Sequence, residues 1–282
     1  MKKILTHPLS RITLGLLACL IVFIATQNIS AFLLKETGKE IRNLVKGVLA
    51  SIAVIVTYRV FFKWIEKRPV TELSNWNLFK NLVWGISIGV NIQLLTMLVI
   101  YLNGSFRIIA VNPISFIIIP MAVAFTVAIF EEILIRGIIF RIIEEKLGSY
   151  LALFISALIF GALHLFNPHA TIISAFCVAV EAGLLLGSAY IYSRSLWQPI
   201  AIHFAWNFVQ SGIFGAVTSG NDGTSGLLTT QLSGPEWISG GQFGPEGTVQ
   251  ATIFCLVTAG IFMYLNIKNN KLIPYGNFKK AQ

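Results

Sequence analysis

The chain has 282 residues, of which 55% are hydrophobic and only 12% are charged, and its mean hydropathy is +0.76. Soluble globular proteins carry about a quarter charged residues, so this composition excludes an ordinary soluble protein and predicts a polytopic membrane protein. The net charge of +9 does not indicate a nucleic-acid partner. The basic residues stand at the ends of apolar runs, where they set topology and contact anionic lipid headgroups, so the predicted partner is the lipid bilayer.

Successive apolar runs fill the chain from end to end. They have the length of membrane-crossing helices and do not alternate, so we predict an all-α fold: a polytopic transmembrane helical bundle of about eight spans. We expect residues 1–282 to form a single integral-membrane domain, with N-terminal spans in 12–102 and the functional core at about 114–217. The loop 219–247 and the last span would be accessory. The predicted spans are 12–34, 45–62, 81–102, 114–143, 150–166, 171–192, 196–217 and 248–267.

The distribution of lysine and arginine predicts the orientation of these spans. Basic residues cluster at the head (Lys2, Lys3), in alternate loops and in the tail (Lys279, Lys280), whereas the loop 219–247 contains none. Both termini are therefore expected on the cytoplasmic side. Pro199, near the start of the seventh span, predicts a break in the helix there.

Few ionisable or strongly polar residues fall inside the apolar runs. A charge in hydrocarbon is costly and rare, so each such residue is a functional candidate that needs a partner, and we expect an intramembrane polar cavity around them. The three cysteines show neither disulfide nor zinc spacing and are interpreted as small core residues. The polar candidates are Glu131, Glu132 and Arg136 in the fourth span, His164 in the fifth, Glu181 in the sixth, and His203 and Asn207 in the seventh.

The two adjacent glutamates are expected to have different roles. Glu132 and Arg136 are four residues apart with the acid first, which favours an ion pair within one helix. Glu131 lies about 100° around that helix and must face another segment, where His164 is the natural neighbour. A glutamate beside a neutral histidine in a dry cavity can bind and deprotonate a water molecule.

His203 and Asn207 also lie four residues apart, on one face of the seventh span. Two N–H donors aimed at one point would stabilise the oxyanion of amide hydrolysis. Alternatively, Glu131, His164 and His203 could form a two-histidine, one-carboxylate set that holds a divalent metal such as zinc. Asparagine is a poor zinc ligand, which favours the hydrogen-bonding role, but the metal alternative stays open. No other cofactor is predicted.

Three motifs occur in order on successive apolar segments: Glu131-Glu132-x-x-x-Arg136, Phe160-x-x-x-His164 and His203-x-x-x-Asn207. Together they resemble those of the CPBP family of CAAX proteases and bacteriocin-processing proteins, also called Abi, which are intramembrane glutamate-type or metallo-endopeptidases. The resemblance implies that Glu131 is the general base and His164 its water-binding partner. It also implies that His203 and Asn207 stabilise the oxyanion, supported by Glu132, Arg136 and Phe160. Glu181 belongs to none of the motifs and is assigned a supporting role.

The resulting hypothesis is an intramembrane endopeptidase that hydrolyses peptide bonds with an activated water. Its substrate would be a peptide or protein reached at or within the membrane, either prenylated or carrying a leader peptide. The composition suggests a bacterial plasma membrane. Two alternatives remain: a non-catalytic bacteriocin-immunity or scaffold protein of the same fold, and a small transporter that uses Glu131, Glu181 and the histidines as a proton relay.

Overall fold

The computed structural model describes residues 7–221 and 226–276, and within these ranges it is an all-α helical bundle, as predicted. Lys2, Lys3, Lys279 and Lys280, used above to predict orientation, lie outside the described residues. Six helical segments of the described chain are long and apolar enough to cross a membrane: Pro8–Leu33, Lys39–Glu66, Leu78–Leu102, Ile114–Phe166, Ile172–Ser193 and Val249–Lys268. Ile114–Phe166 contains both the fourth and fifth predicted spans, which separate at Gly148, where φ is 75°.

The regular elements follow one another with few long connections. The helices are α1 Pro8–Leu33, α2 Lys39–Glu66, α3 Leu78–Leu102, α4 Ile118–Glu132, α5 Arg141–Leu163, α6 Ile172–Val178, α7 Gly187–Ser193, α8 Trp197–Asn207, α9 Glu236–Ser239 and α10 Val249–Lys268. Wider π-helical segments continue three of them at Ile133–Phe140, Ala179–Leu186 and Phe208–Ile213. Short 3₁₀ turns occur at Thr71–Leu73, Ile114–Ile117, His164–Phe166 and Pro245–Gly247.

The seventh span differs from the prediction at its start. Helix α8 runs unbroken from Trp197, and Pro199 lies in its first turn. A proline there does not disturb the helix, because the first-turn N–H groups have no partner within the helix. The predicted break at Pro199 is therefore wrong.

The two segments predicted to be irregular, 103–113 and 219–247, contain a small sheet. Strand β1 (Phe106–Val111) pairs antiparallel with β2 (Leu228–Leu232), with Phe106 opposite Leu232 and Val111 opposite Leu228. β1 carries isoleucines and a valine, which favour extended backbone. Its partner lies more than a hundred residues away, so a reading of local hydropathy assigns β1 to a turn.

Glycines in α3 allow helix α8 to approach closely. A Cβ atom added at Gly89 would lie 2.4 Å from the carbonyl oxygen of Ile202, and one added at Gly85 would lie 2.6 Å from the Cβ of Ala201. Small residues at such positions bring membrane helices into backbone contact. This contact fixes the position of α8 and hence of His203.

We expect Gly89→Leu to destabilise the bundle and to lower activity, because the new side chain would push α8 away from α3. Overpacking of this kind typically costs about 1–3 kcal/mol. The matched control is Gly260→Ala in α10, where an added Cβ meets nothing within 4 Å. The measurement is the melting temperature of each variant in detergent. Equal melting temperatures would contradict the proposed close contact.

Six charged side chains at one end of the bundle form a neutral cluster, which we call the six-residue ion network. Arg11 of α1 lies 2.5 Å from Glu66 and 2.5 Å from Glu145. Arg141 lies 2.9 Å from Glu66, and Arg68 lies 2.7 Å from Glu72. Burial alone would raise the pKa of Glu72, but Arg68, Arg141 and the hydrogen bond from Tyr58 together outweigh burial and hold that pKa below its usual value. The members are Arg11, Arg68, Arg141, Glu66, Glu72 and Glu145.

Candidate active site

The adjacent glutamates lie at the junction of α4 with the π-helical segment Ile133–Phe140. As predicted, Arg136 forms an ion pair with Glu132. Nη1 donates to Glu132 Oε1 over 2.8 Å, and both side chains have an exposed fraction of 0%. Arg136 also donates to the backbone carbonyls of Ala182 and Gly183. The guanidinium carbon lies 4.9 Å from the centre of the Phe160 ring. The pair therefore joins the helix of the first motif to the segment that carries Glu181.

His203 lies between the two carboxylates. Its Nδ1 is 3.1 Å from Glu132 Oε1, and its Nε2 is 3.9 Å from Glu131 Oε2. Because the Glu132 oxygen is paired with a guanidinium, it acts as an acceptor, and Nδ1–H of His203 is the donor. Oε2 of Glu131 is buried and has no hydrogen-bond partner among the described residues. A buried polar atom without a partner is a candidate site for water.

His164 directly follows α5 and is held by Phe160 of the same motif. Its Nδ1 lies 2.8 Å from the carbonyl oxygen of Phe160, and the two rings are 4.7 Å apart. A carbonyl oxygen only accepts, so the proton is on Nδ1 and Nε2 keeps its lone pair. The sequence favoured His164 as the neighbour of Glu131. In the structure it is His203 that lies against Glu131, with 3.9 Å between Nε2 and Oε2, while His164 lines the same cavity.

A cavity of ≈ 540 Å³ brings the predicted groups together. One wall is an apolar face of α4 that includes Val123, Val127 and Phe130. The cavity is large enough for several residues of a peptide, since ligand sites typically occupy about 300–1,000 Å³. Its polar residues include Glu131, His164, Asn167, His203, Asn207, Ser211, Thr218, Ser219 and Asn221.

A second, smaller cavity of ≈ 40 Å³ adjoins the first. The two share Phe160, His164, His203, Asn207 and Ser219 in their linings. The smaller cavity is also lined by two further carboxylates, Glu181 and Glu246, and by Trp206. Glu181 is 4% exposed and contacts Thr252 Oγ1 of α10 at 2.8 Å. Glu181, which matches no motif, therefore lies next to the candidate active site.

Glu246 is a site residue that the sequence did not reveal. Its carboxylate accepts from the Trp206 indole N–H over 3.1 Å and from Ser219 N and Oγ over 2.5 and 2.8 Å. Burial raises the pKa of this carboxyl, while the hydrogen bonds from Ser219 and the nearby His164 lower it. The residue stands in a glycine-rich loop with no catalytic spacing, and only the fold brings that loop to the site.

Within the described ranges, no three His, Cys, Asp or Glu side chains are grouped so that they could hold a metal ion. Nδ1 of His164 is engaged with Phe160 and Nδ1 of His203 with Glu132, which leaves Nε2 of each as the nitrogen able to bind a metal. The set Glu131, His164 and His203 is not grouped as a metal site in the described structure. A divalent metal at these residues stays a prediction.

Comparison with known protein families gives one match. Residues 113–209 match the family described as type II CAAX prenyl endopeptidase Rce1-like. This range contains all three motifs and Glu181. This segment of the chain is therefore similar to the CAAX protease family. The searches of curated proteins and of solved structures gave no match.

The match and the helices together give a general description of the chain. Its helices are those of an integral membrane protein, and the segment 113–209 is similar to a family of membrane peptidases. The matched segment runs from the 3₁₀ turn before α4 into the π-helical segment after α8. Helices α1–α3, the sheet and the loop with Glu246 lie outside the matched segment.

Proposed function

We propose that the chain is an intramembrane endopeptidase in which Glu131 activates a water molecule for attack on a peptide bond. The observation that carries this proposal is the buried Oε2 of Glu131, which lacks a hydrogen-bond partner among the described residues and lies 3.9 Å from His203 Nε2 in the large cavity. Glu132 is committed to Arg136. Glu131 is therefore the carboxylate free to accept a proton.

In the proposed reaction, a water donates one hydrogen bond to Glu131 and the other to Nε2 of His164. Glu131 removes a proton as the water oxygen bonds to the carbonyl carbon, and the carbonyl π electrons move to its oxygen. Collapse of the tetrahedral intermediate breaks the C–N bond, and the proton held by Glu131 passes to the departing amine. General acid–base catalysis of this kind contributes about 10²- to 10⁴-fold in rate.

His203 and Asn207 are assigned to the oxyanion. In this proposal His203 carries both protons, so that Nδ1–H donates to Glu132 while Nε2–H faces the cavity. Asn207 lines the cavity one helical turn further along α8 and adds an amide N–H. Preorganised donors stabilise the intermediate more in a water-poor site than they would in water. Phe160 supports the arrangement, because its carbonyl orients His164 and its ring covers Arg136.

The apolar α4 wall beside Glu131 suits a substrate with an aliphatic or isoprenoid group next to the scissile bond. We therefore propose a prenylated C-terminus or a leader peptide, presented from a bacterial plasma membrane by a chain with both termini in the cytoplasm. A fluorogenic panel tests this assignment on the purified chain in lipid vesicles: a prenylated peptide, its unprenylated twin and a leader peptide. Cleavage of none of them would support a binding or transport function instead.

We expect cleavage to continue when a chelator is added, because no grouped metal ligands exist in the described part of the chain. The measurement is the initial rate with and without the chelator, accompanied by metal analysis of the purified protein. A rate abolished by the chelator and restored by zinc would contradict this prediction. It would establish the alternative set of Glu131, His164 and His203 as metal ligands.

A further inference from the structure

The smaller cavity has the size and lining of a water site. A buried cavity needs roughly 10–15 Å³ to hold one water, with two to four polar partners; this one offers ≈ 40 Å³ and is lined by Glu181, Glu246 and Asn207. Both glutamates are at least nine-tenths buried, at 4% and 5% exposure. The Thr252 hydroxyl donates a hydrogen bond to Oε1 of Glu181, so the other oxygen of that carboxyl is available to a bound water.

The position of the smaller cavity suits a supply of water for hydrolysis. Hydrolysis consumes one water for each peptide bond, yet a peptide that fills the large cavity displaces the water there. His164 and His203 line both cavities, so the smaller one lies directly behind the groups assigned to the reaction. Water in the smaller cavity can pass His164 and His203 to reach Glu131 while the substrate occupies the large cavity.

We propose that the smaller cavity is a water-binding site, held by Glu181 and Glu246, that supplies the hydrolytic water when substrate fills the large cavity. The role as a supply rests on the proposed function above, whereas the presence of water does not. Glu246 contributes through its position: it fixes Trp206 and Ser219, which form two sides of the cavity. Glu181 supplies the polar surface that keeps the cavity wet.

X-ray radiolysis with mass spectrometry tests for the water directly, because radicals formed from bound water label the side chains beside it. Trp206 is 7% exposed and lines the smaller cavity but not the larger one. We expect it to be labelled well above Tyr58, which is 0% exposed, with Trp237 at 60% as the exposed reference. Trp206 protected as strongly as Tyr58 would mean that the cavity is dry, and would overturn the proposal.

Two substitutions of nearly equal length separate water binding from charge. Glu181→Gln keeps hydrogen-bonding groups in the cavity, whereas Glu181→Met removes them. We expect Glu181→Met to lose most of the Trp206 label and to lower kcat about tenfold, the equivalent of one lost hydrogen bond, with KM nearly unchanged. Glu181→Gln should lose markedly less of the Trp206 label and markedly less of kcat. The control is Val180→Leu, a neighbouring buried position outside both cavity linings.

The outcomes distinguish this proposal from the proposed function. An equal fall of kcat in the Gln and Met variants would assign the role to the charge of Glu181 and overturn the proposal. Unchanged kcat in Glu181→Met would overturn the supply role. If instead Glu131→Gln leaves cleavage intact, the proposed mechanism fails, while the labelling of Trp206 still decides whether the cavity holds water.

Discussion

Glu131→Gln is expected to lower the rate of peptide cleavage by about 10²- to 10⁴-fold, the usual contribution of a general base. Glutamine has nearly the same shape as glutamate but cannot accept a proton from water. The side chain of Glu131 is 29% exposed and faces the large cavity, so glutamine can occupy the same position without disturbing the packing of the helices. We therefore expect the variant to retain its helical content and melting behaviour.

The rate is measured as single-turnover cleavage in vesicles, with circular dichroism as the check on folding. Glu36→Gln is the control, since that carboxylate is 88% exposed at the end of α1 and its loss should not change the rate. Cleavage by Glu131→Gln at the wild-type rate would exclude Glu131 as the base. Loss of cleavage together with loss of helical content would assign Glu131 a structural role instead.

Arg136→Met should lower the free energy of unfolding by about 3–5 kcal/mol, the typical effect of breaking a buried ion pair. The substitution removes the guanidinium that pairs with Glu132 in a position that is 0% exposed, and leaves His203 as the remaining partner of that carboxylate. It also removes the hydrogen bonds to the carbonyls of Ala182 and Gly183, which join two helical segments. Thermal or denaturant unfolding in detergent measures the change.

The double variant Glu132→Gln/Arg136→Met provides the internal test. Because Glu132 no longer carries a buried charge, we expect it to be clearly more stable than Arg136→Met alone, although His203 then loses its carboxylate partner. The surface pair Lys35–Glu36 is the control: its atoms are 3.7 Å apart, but both side chains are largely exposed, so Lys35→Met should have little effect on stability. Equal stability of the single and double variants would contradict the ion-pair argument.

The local part of this site could be predicted from the sequence. Helical spacing alone indicates that Glu132 reaches Arg136, and that Phe160 and His203 each present a face shared with a residue four positions later. The long apolar runs predict the helices to within a few residues at most ends, and the largest difference is at the start of the second span, predicted at residue 45 and found at Lys39. Both inferences depend on neighbours within one helix, where geometry is fixed.

The contacts between helices could not be predicted in this way. Which histidine approaches Glu131 depends on the rotation and depth of α8, and these are set by the glycine contacts with α3. The π-helical segment Ile133–Phe140 also advances less per residue than an α-helix, because its hydrogen bonds span five residues. Glu246 and the sheet were missed for the same reason, since both depend on distant partners.

The six-residue ion network has a consequence for the biogenesis of the chain. Arg11 contacts Glu66 and Glu145, which follow it by 55 and 134 residues. A ribosome adds roughly 5–20 residues per second, so α1 enters the bilayer many seconds before its last partner has been synthesised. Until then Arg11 must remain at the headgroups, where a long basic side chain can reach water. The docking of α1 at the six-residue ion network is thus completed only after α5, which carries Glu145, has been synthesised.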